Sequence, residues 1–124
     1  MSDEPRVRFI EHAGKQILFH DLSNILNPAD ALPIFALSRS IVASQPFRSL
    51  LTLSDFSQSR FSTENVAALT DLAKHNKPFV KHAAFVGIHG LQRVIYVTVS
   101  QLSGRRVPIF DTLDIAKDWL VAQP

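Results

Sequence analysis

The clearest pattern of apolar positions lies between residues 83 and 120. Ala83–Ile88 is an uninterrupted apolar run, which is typical of a strand covered on both faces. Val107–Phe110 is a second short apolar run, and its Pro108 favours a sheet edge or the end of a strand. The chain between these two runs therefore has to connect one strand to the next.

Leu91–Ser103 makes that connection, and its composition and its spacing favour different structures. The β-branched and aromatic run Val94–Val99 has the local propensity of a strand. The apolar positions nevertheless recur at helical intervals, Gly104 provides a C-terminal stop, and a parallel crossover needs about a dozen residues of helix. The sequence therefore predicts a helix between two parallel strands. Its predicted buried face consists of Leu91, Val94, Ile95, Val99 and Leu102.

The remaining elements are predicted from apolar runs bounded by glycine, proline and helix-capping residues. Gly14 can adopt a positive φ between the first two strands, so we expect them to form a hairpin. The predicted order is β-β-α-β-α-β-α-β-α, and right-handed crossovers make the sheet mainly parallel with an antiparallel edge. The predicted elements before residue 83 are strands at Val7–Ile10, Ile17–Leu22 and Phe47–Ser54, a helix that begins at Asn27 and Pro28 and ends at Gln45 and Pro46, and a helix from Ser62 or Thr63 to Asn76.

Helical spacing also predicts which side chains of the other helices face the core. The last helix is expected to begin at Asp111 or Thr112, and Trp119 to anchor it in the core. The spread of the nine phenylalanines favours core positions over the lining of a cavity. The predicted buried positions are Ile34, Leu37 and Ile41 in the first helix, Val66, Leu69, Leu72 and Ala73 in the second, and Ile115, Ala116, Trp119 and Leu120 in the last.

The composition of the chain excludes several classes of protein. With 124 residues and 46% hydrophobic residues, the chain is expected to be one domain with its own core. The absence of cysteine excludes a disulfide scaffold, thiol catalysis and thiolate metal sites. No apolar run approaches the roughly 20 residues of a transmembrane segment, and the N-terminus lacks the apolar core of a secretory signal, so a cytoplasmic location is expected.

The charges are unevenly distributed although the formal net charge is only +2. The segment from residue 74 to residue 106 contains basic residues and no acidic residue. One interpretation is a cationic face for a phosphate, an anionic lipid or a nucleic acid, and the other is a set of solvated helix ends and loops. Because no exposed aromatic residues are interleaved, we expect no nucleic-acid partner. The basic residues are Lys74, Lys77, Lys81, Arg93, Arg105 and Arg106.

The turn Gly87–Gly90 is the best candidate for a ligand-binding segment. It follows a predicted strand and precedes a predicted helix, where backbone N–H groups can hold a phosphate. The pair of glycines does not make a dinucleotide-binding fingerprint or a P-loop. The candidate ligand-binding residues are therefore Gly87, His89 and Gly90, and the alternative for His89 is a solvent-facing turn histidine.

No group of residues in the sequence indicates catalysis. The other histidines are dispersed, without the close helical spacing of metal ligands, so we expect no metal site and no cofactor. The serines form no nucleophile elbow. We expect a protein that is not an enzyme and has no catalytic residues.

The element order, the polar loop before Ser62 and the ending GRRVPIFDTLDIAKDWL resemble the STAS superfamily, specifically bacterial STAS-like proteins akin to anti-sigma factor antagonists. The resemblance covers nearly the whole chain. It implies a single STAS-like α/β domain over residues 1–124, with a mixed four- to five-stranded sheet and about four helices on one side. It also implies protein interaction or ligand sensing rather than chemistry. A related branch resembles CRAL-TRIO lipid carriers.

In phosphorylatable antagonists of this family, a serine preceded by an aspartate begins the helix after the third strand and is modified by a partner kinase. Here Ser62 or Thr63 takes that place, but Arg60 and Phe61 precede it and the Asp-Ser pair is absent. Ser62 or Thr63 can instead act as an ordinary N-cap. The candidate phosphorylation or partner-binding residues are Ser62, Thr63 and Asp55.

Two hypotheses follow. The first is a non-enzymatic regulatory module that binds a protein partner, such as an anti-sigma factor or a kinase, through residues 55–65. The alternative is a protein that binds a small molecule, a lipid or an anionic ligand through the Gly87–Gly90 turn and neighbouring basic residues. Edge strands and helix faces also make a homodimer a plausible state.

Overall fold

The computed structural model describes residues 4–124, which fold around one five-stranded sheet. Short 3-10 turns precede the first two helices, at Pro28–Ala31 and Thr63–Asn65, and a third follows the second helix at Lys77–Phe79. The strands are β1 Val7–His12, β2 Lys15–Asp21, β3 Leu50–Asp55, β4 Val80–Val86 and β5 Ile109–Phe110. The α-helices are α1 Leu32–Ala43, α2 Val66–Asn76, α3 Leu91–Ser103 and α4 Leu113–Ala122.

The order of strands across the sheet is the same as their order along the chain. β1 pairs with β2 antiparallel, and every later pair is parallel. The predicted α/β architecture, with an antiparallel hairpin at one edge of a parallel sheet, is therefore confirmed.

α3 spans the residues predicted for it, although its β-branched run has strand propensity. It begins after Gly90 and ends at Gly104, whose left-handed conformation closes the helix. The Thr98 hydroxyl also donates to the Val94 carbonyl one turn earlier. The helix allows β4 and β5 to pair in parallel, which is the connection that the spacing predicted.

Several strand boundaries differ from those predicted. β4 begins at Val80 and ends at Val86, so the predicted Ala83–Ile88 was placed too late. β3 begins at Leu50, not at Phe47, because Phe47 is exposed in the preceding loop. β5 has only two residues, since Val107 and Pro108 precede the pairing.

The β1–β2 hairpin turns more tightly than predicted. Ala13 and Gly14 both have positive φ, at 50° and 81°, and His12 pairs directly with Lys15. Two central residues with positive φ match the twist of the flanking strands. The polar connection predicted between residues 11 and 16 is therefore mostly strand.

The predicted capping residues are largely confirmed. Asn27 accepts a hydrogen bond from the Ala29 amide and begins the first 3-10 turn, so α1 itself starts later, at Leu32. Ser62 accepts from the Glu64 amide and starts the turn that leads into α2. Thr112, not Asp111, caps α4 by accepting from the Ile115 amide.

The buried faces of the helices were predicted less well than their positions. Leu37 and Ile115 are exposed, whereas Phe35, Ser38 and Val42 join Ile34 on the buried face of α1. In α3, Ile95 is buried but three of the other predicted core positions are exposed. α3 packs mainly against α2 and covers only part of the sheet, so much of its apolar surface has no neighbour among residues 4–124. The predicted core positions of α3 that are exposed are Leu91, Val94 and Leu102.

Helices cover both faces of the sheet, whereas the STAS resemblance implied helices on one side. α1, α2 and α3 cover the face that we call the cavity face, around Leu18 and Leu50. α4 packs on the opposite face, which we call the α4 face, where Ala116 and Leu120 contact a separate core cluster. Within residues 4–124, no helix combines the length and apolarity that crossing a membrane requires.

Candidate functional site

A cavity of about 90 Å³ lies between the cavity face of the sheet and helices α2 and α3. Alternate residues of the strands form the floor of the cavity, because side chains along a strand alternate between the two faces of the sheet. His20 pairs with Ser54 and Leu18 pairs with Thr52 across β2 and β3, so His20, Ser54 and Thr52 share the cavity face. The cavity is bounded mostly by apolar side chains, including Leu22, Phe56, Phe61, Leu69, Leu72, Phe85, Ile88, Ile95 and Val99.

Aromatic rings form one continuous wall of the cavity. Phe61 contacts Phe56 edge-to-face with ring centroids 5.7 Å apart, and Phe56 contacts Phe85 in the same way at 5.1 Å. Phe85 continues the series to Tyr96 of α3 at 6.1 Å. The sequence interpretation placed the phenylalanines in the core rather than around a cavity, but Phe56, Phe61 and Phe85 do both.

His20 is buried at the polar end of the cavity, with 5% of its surface exposed. Its Nε2 lies 2.7 Å from the Ser38 hydroxyl of α1, which also accepts from Asn76 Nδ2 at 3.2 Å. His75 Nδ1 lies 2.8 Å from Asn76 Oδ1 and holds the amide in that orientation. Because Asn76 already donates to the Ser38 oxygen, the hydroxyl proton is available for His20 Nε2, which favours the tautomer with its proton on Nδ1.

The other ring nitrogen of His20, Nδ1, has no hydrogen-bond partner within residues 4–124. Burial lowers the pKa of His20 from 6.5 to about 4, and the positive charge of Arg105 contributes to the same shift. The imidazole is therefore neutral at pH 7. It presents a polar group without a partner among residues 4–124 in a buried part of the molecule.

Arg105 places a positive charge beside this histidine. Its side chain is half-buried, and burial lowers the pKa of the guanidinium from its usual value. Nη1 donates to the Ala73 carbonyl of α2 at 3.3 Å. No salt bridge within residues 4–124 involves Arg105. A half-buried cation with no neutralising carboxylate favours an anion or another strong acceptor nearby.

The cavity is lined by His20, Arg105 and several neutral polar side chains besides its apolar residues. The residues that line the cavity include no aspartate, glutamate or cysteine. Among residues 4–124, no three histidine, cysteine or acidic side chains are grouped so that they could hold a metal ion. The polar groups that face the cavity besides His20 and Arg105 are neutral side chains such as Thr52, Ser54, Gln92 and Ser100.

The predicted ligand-binding turn lies outside this cavity, at the carboxyl edge of the sheet. Gly87 has a φ of +80°, and a Cβ at this position would overlap with Ser57, so close packing against the neighbouring loop accounts for this glycine. His89 is exposed, and its carbonyl accepts from the Gln92 amide. Gly90 precedes α3 and is also exposed. The adjacent Ile88 is the residue of this turn that lines the cavity.

The predicted partner-binding residues lie in the adjacent loop between β3 and α2. Asp55 Oδ1 accepts from the Ser57 amide at 2.9 Å and stabilises the start of that loop. Ser62 acts as an N-cap, as described above, and Thr63 is exposed. Phe56 N donates to the Val86 carbonyl, so the fold brings this loop beside the Gly87–Gly90 turn.

Sequence reasoning missed the central role of His20. A histidine within the otherwise largely apolar predicted strand Ile17–Leu22 was the available signal, but it gave no indication of a partner. Arg105 was noted only as one of several basic residues. Because the two residues are far apart along the chain, only the packing of the loop after α3 against α2 and β2 brings them together.

Comparisons with known proteins establish the fold. No protein-family model matches the chain, and no curated protein matches its sequence. The chain is similar in structure to an uncharacterized protein of the DUF3478 family with a SpoIIAA-like fold from Shewanella loihica PV-4. The two are 17% identical, and the match covers 92% of this chain and 91% of the other with a TM-score of 0.69. The STAS-like fold expected from the sequence is confirmed, and the comparison assigns no activity.

Proposed function

We propose that this chain, with its SpoIIAA-like fold, binds a small and largely apolar molecule that carries one anionic or hydrogen-bond-accepting group. The observation that carries the proposal is the polar end of the cavity. There His20 Nδ1 has no partner among the described residues, and Arg105 has no carboxylate. The rest of the lining is predominantly apolar.

The physical argument concerns unsatisfied polar groups. A buried donor or acceptor without a partner destabilises the folded state by about 1–3 kcal/mol. An acceptor group in the cavity would take a hydrogen bond from His20 Nδ1 and lie in the field of Arg105. A ligand of this kind would therefore stabilise the folded chain by an amount that rises with the logarithm of its concentration above the dissociation constant.

The volume of the cavity limits the size of the ligand. At about 90 Å³ it is of the same order as engineered cavities of about 150 Å³ that bind benzene. A molecule with a short aliphatic chain or a single ring fits this space. A long-chain lipid would require α2 and α3 to move apart.

The experiment is a titration of isotope-labelled protein with 1-hexanol and with hexanoate, followed by amide NMR shifts. We expect shifts around Thr52, Ile95 and Tyr96, saturation with a dissociation constant of about 1 mM or tighter, and tighter binding of hexanoate. Ala73→Leu, which fills the cavity from α2, should weaken both ligands, whereas Lys117→Ala on α4 should change neither. Identical spectra with and without both compounds would contradict the proposal.

The second candidate function is the binding of a protein partner by the loop and turn from Asp55 to Asn65. It is supported by the exposure of Thr63 and Glu64 beside the Ser62 capping box, where a phosphate would lie at the positive end of the helix. Incubation with a candidate kinase should phosphorylate Ser62 or Thr63 and change partner binding. The double variant Ser62→Ala/Thr63→Ala should abolish both effects, and an unmodified wild-type chain that binds no partner would remove this candidate.

A further inference from the structure

A basic groove lies at the amino end of β4, on the far side of the cavity wall. Its volume is about 870 Å³, and it also contains His82 and Trp119. Among residues 4–124, no acidic side chain lines it. The cationic side chains of the groove are Arg48, Lys77, Lys81, Arg105 and Arg106.

These cations come from separate parts of the chain. Arg48 precedes β3, Lys77 follows α2, Lys81 lies in β4, and Arg105 and Arg106 follow α3. Lys77 Nζ lies 3.4 Å from the Gly104 carbonyl oxygen, to which it donates. Within residues 4–124, no salt bridge involves a groove cation. Converging like charges repel one another, so a bound anion would relieve that repulsion.

The groove and the cavity share a wall that is one residue thick. Val80, Arg105 and Val107 line both spaces. Arg105 is the polar member of that wall, and the chain around it, from Arg105 to Pro108, forms neither helix nor strand. Arg105 therefore lies at the boundary between the apolar cavity and the basic groove.

We propose that the basic groove is the headgroup site and the entrance for the ligand of the cavity, and that this ligand is a phosphate-bearing amphiphile. Its short apolar part occupies the cavity, its ester oxygen accepts from His20 Nδ1 at the polar end of the cavity, and its phosphate lies in the groove against Arg105, Arg106 and Lys81. This proposal rests on the proposed function of the cavity and adds the chemical class of the ligand and its route of entry.

Phosphate suits the groove because it offers three acceptor oxygens and a charge between −1 and −2 for several cations to share. A guanidinium can bind two of those oxygens at once, and an ammonium acts as a point charge. The same chemistry is present in a soluble phosphate ester and in the headgroup of an anionic lipid, so the experiment has to separate these two sources.

The test compares 1-hexanol, hexyl phosphate and inorganic phosphate by calorimetry. We expect hexyl phosphate to bind at least about tenfold more tightly than 1-hexanol at low salt, and to lose this advantage as salt screens the groove. The double variant Lys81→Gln/Arg106→Gln should remove most of the preference for hexyl phosphate over 1-hexanol, because two of the three proposed phosphate contacts are lost. The affinity for 1-hexanol should stay unchanged.

Lys74→Gln/Arg93→Gln is the matched control, because it removes the same charge from two exposed basic residues outside the groove. This control should retain the tenfold preference. Vesicles of phosphatidylcholine with and without phosphatidic acid distinguish the sources. Capture by the anionic vesicles alone identifies a lipid headgroup, and binding of hexyl phosphate without capture identifies a soluble ester.

The possible failures are distinguishable. Equal affinities for 1-hexanol and hexyl phosphate in every variant would overturn this inference and leave the proposed function standing. Inorganic phosphate that binds as tightly as hexyl phosphate would overturn the link between groove and cavity. If neither hexyl compound binds, the proposed function itself is wrong.

Discussion

The two faces of the sheet are formed by the same strands, but they differ in how completely they are packed. On the α4 face, Ile17, Leu53 and Ala84 meet Ala116 and Leu120, and all five are 0% exposed. On the cavity face, the neighbouring positions His20, Thr52 and Ser54 are also buried, but they border a space that is not filled. The comparison separates a closely packed face that stabilises the fold from a face that borders the cavity to which we assign the proposed ligand.

The difference in packing arises because consecutive residues of each strand point to opposite faces of the sheet. Phe19 and Leu53 point to the α4 face, whereas His20 and Thr52 point to the cavity face. Buried polar groups and an open cavity both reduce stability relative to close apolar packing. We infer that the cavity face gives up stability for function, as binding sites commonly do.

The largest expected effect comes from truncating a leucine on each face. Leu120→Ala should destabilise the chain by about 4 kcal/mol, because its fully buried side chain would leave a cavity in close-packed surroundings. Leu69→Ala, at the half-buried wall of the existing cavity, should cost about 1 kcal/mol. Urea denaturation measures both values, and equal losses would remove the distinction between the faces.

The second largest expected effect is a loss of stability at acidic pH, and it comes from His20 on the cavity face. The pKa of His20 is about 4 in the folded chain and 6.5 when exposed, so below pH 6.5 the unfolded chain binds a proton that the folded chain does not. The contribution of His20 is therefore fully retained above about pH 6.5 and falls by about 1.4 kcal/mol per pH unit down to about pH 4, or about 3 kcal/mol in all.

The measurement is the free energy of unfolding against pH for the wild type and for His20→Gln. The variant should lack this part of the acid sensitivity, because glutamine does not titrate. The difference between the two curves isolates His20 from the other ionisable groups. Parallel curves would show that the ring is not held neutral by burial.

Replacing alanine with leucine should reduce stability more on the α4 face than on the cavity face, and both losses should be of intermediate size. Ala84→Leu should destabilise by about 2 kcal/mol, because the side chain would be forced into a filled core. Ala73→Leu should cost less than about 1 kcal/mol, because α2 would place the added atoms in the cavity. Thermal unfolding compares the two, and a larger loss at Ala73 would mean that the cavity is not open to a side chain.

The smallest expected effect on stability comes from Arg105. Arg105→Met should change the free energy of unfolding by no more than about 1 kcal/mol, because replacing a buried charge with an apolar side chain of similar length is often neutral or stabilising. It should also raise the pKa of His20, since a neighbouring positive charge is removed. Binding of hexanoate should weaken in the same variant. A large loss of stability would instead assign Arg105 a structural role.

Much of the fold was predictable because its signals are local. The helical spacing of Leu91–Ser103 outweighed its strand propensity, and Ser62 and Thr112 cap helices as expected. Errors arose where burial depends on neighbours in space. Leu91 and Leu102 fit a helical stripe, but α3 lies on α2 and over the cavity, so these leucines remain exposed.

The candidate site was much less predictable than the fold. The Gly87–Gly90 turn and Ser62 have recognisable local patterns, and their proposed roles in binding stay predictions. His20 and Arg105 have no shared local pattern, because one lies in an early strand and the other in a loop near the end of the chain. Their proximity follows from how α2 and α3 pack on the sheet.

The amino-acid sequence by itself determined the order of elements, the crossover helix and the mixed sheet, since periodicity, caps and turns act over a few neighbouring residues. Only the tertiary structure decided that α4 covers the opposite face, that the cavity face is incompletely filled and that a neutral histidine lies beside an unpaired arginine. Those features depend on distances between residues that are remote along the chain, and such distances exist only once the whole sheet and its helices have packed.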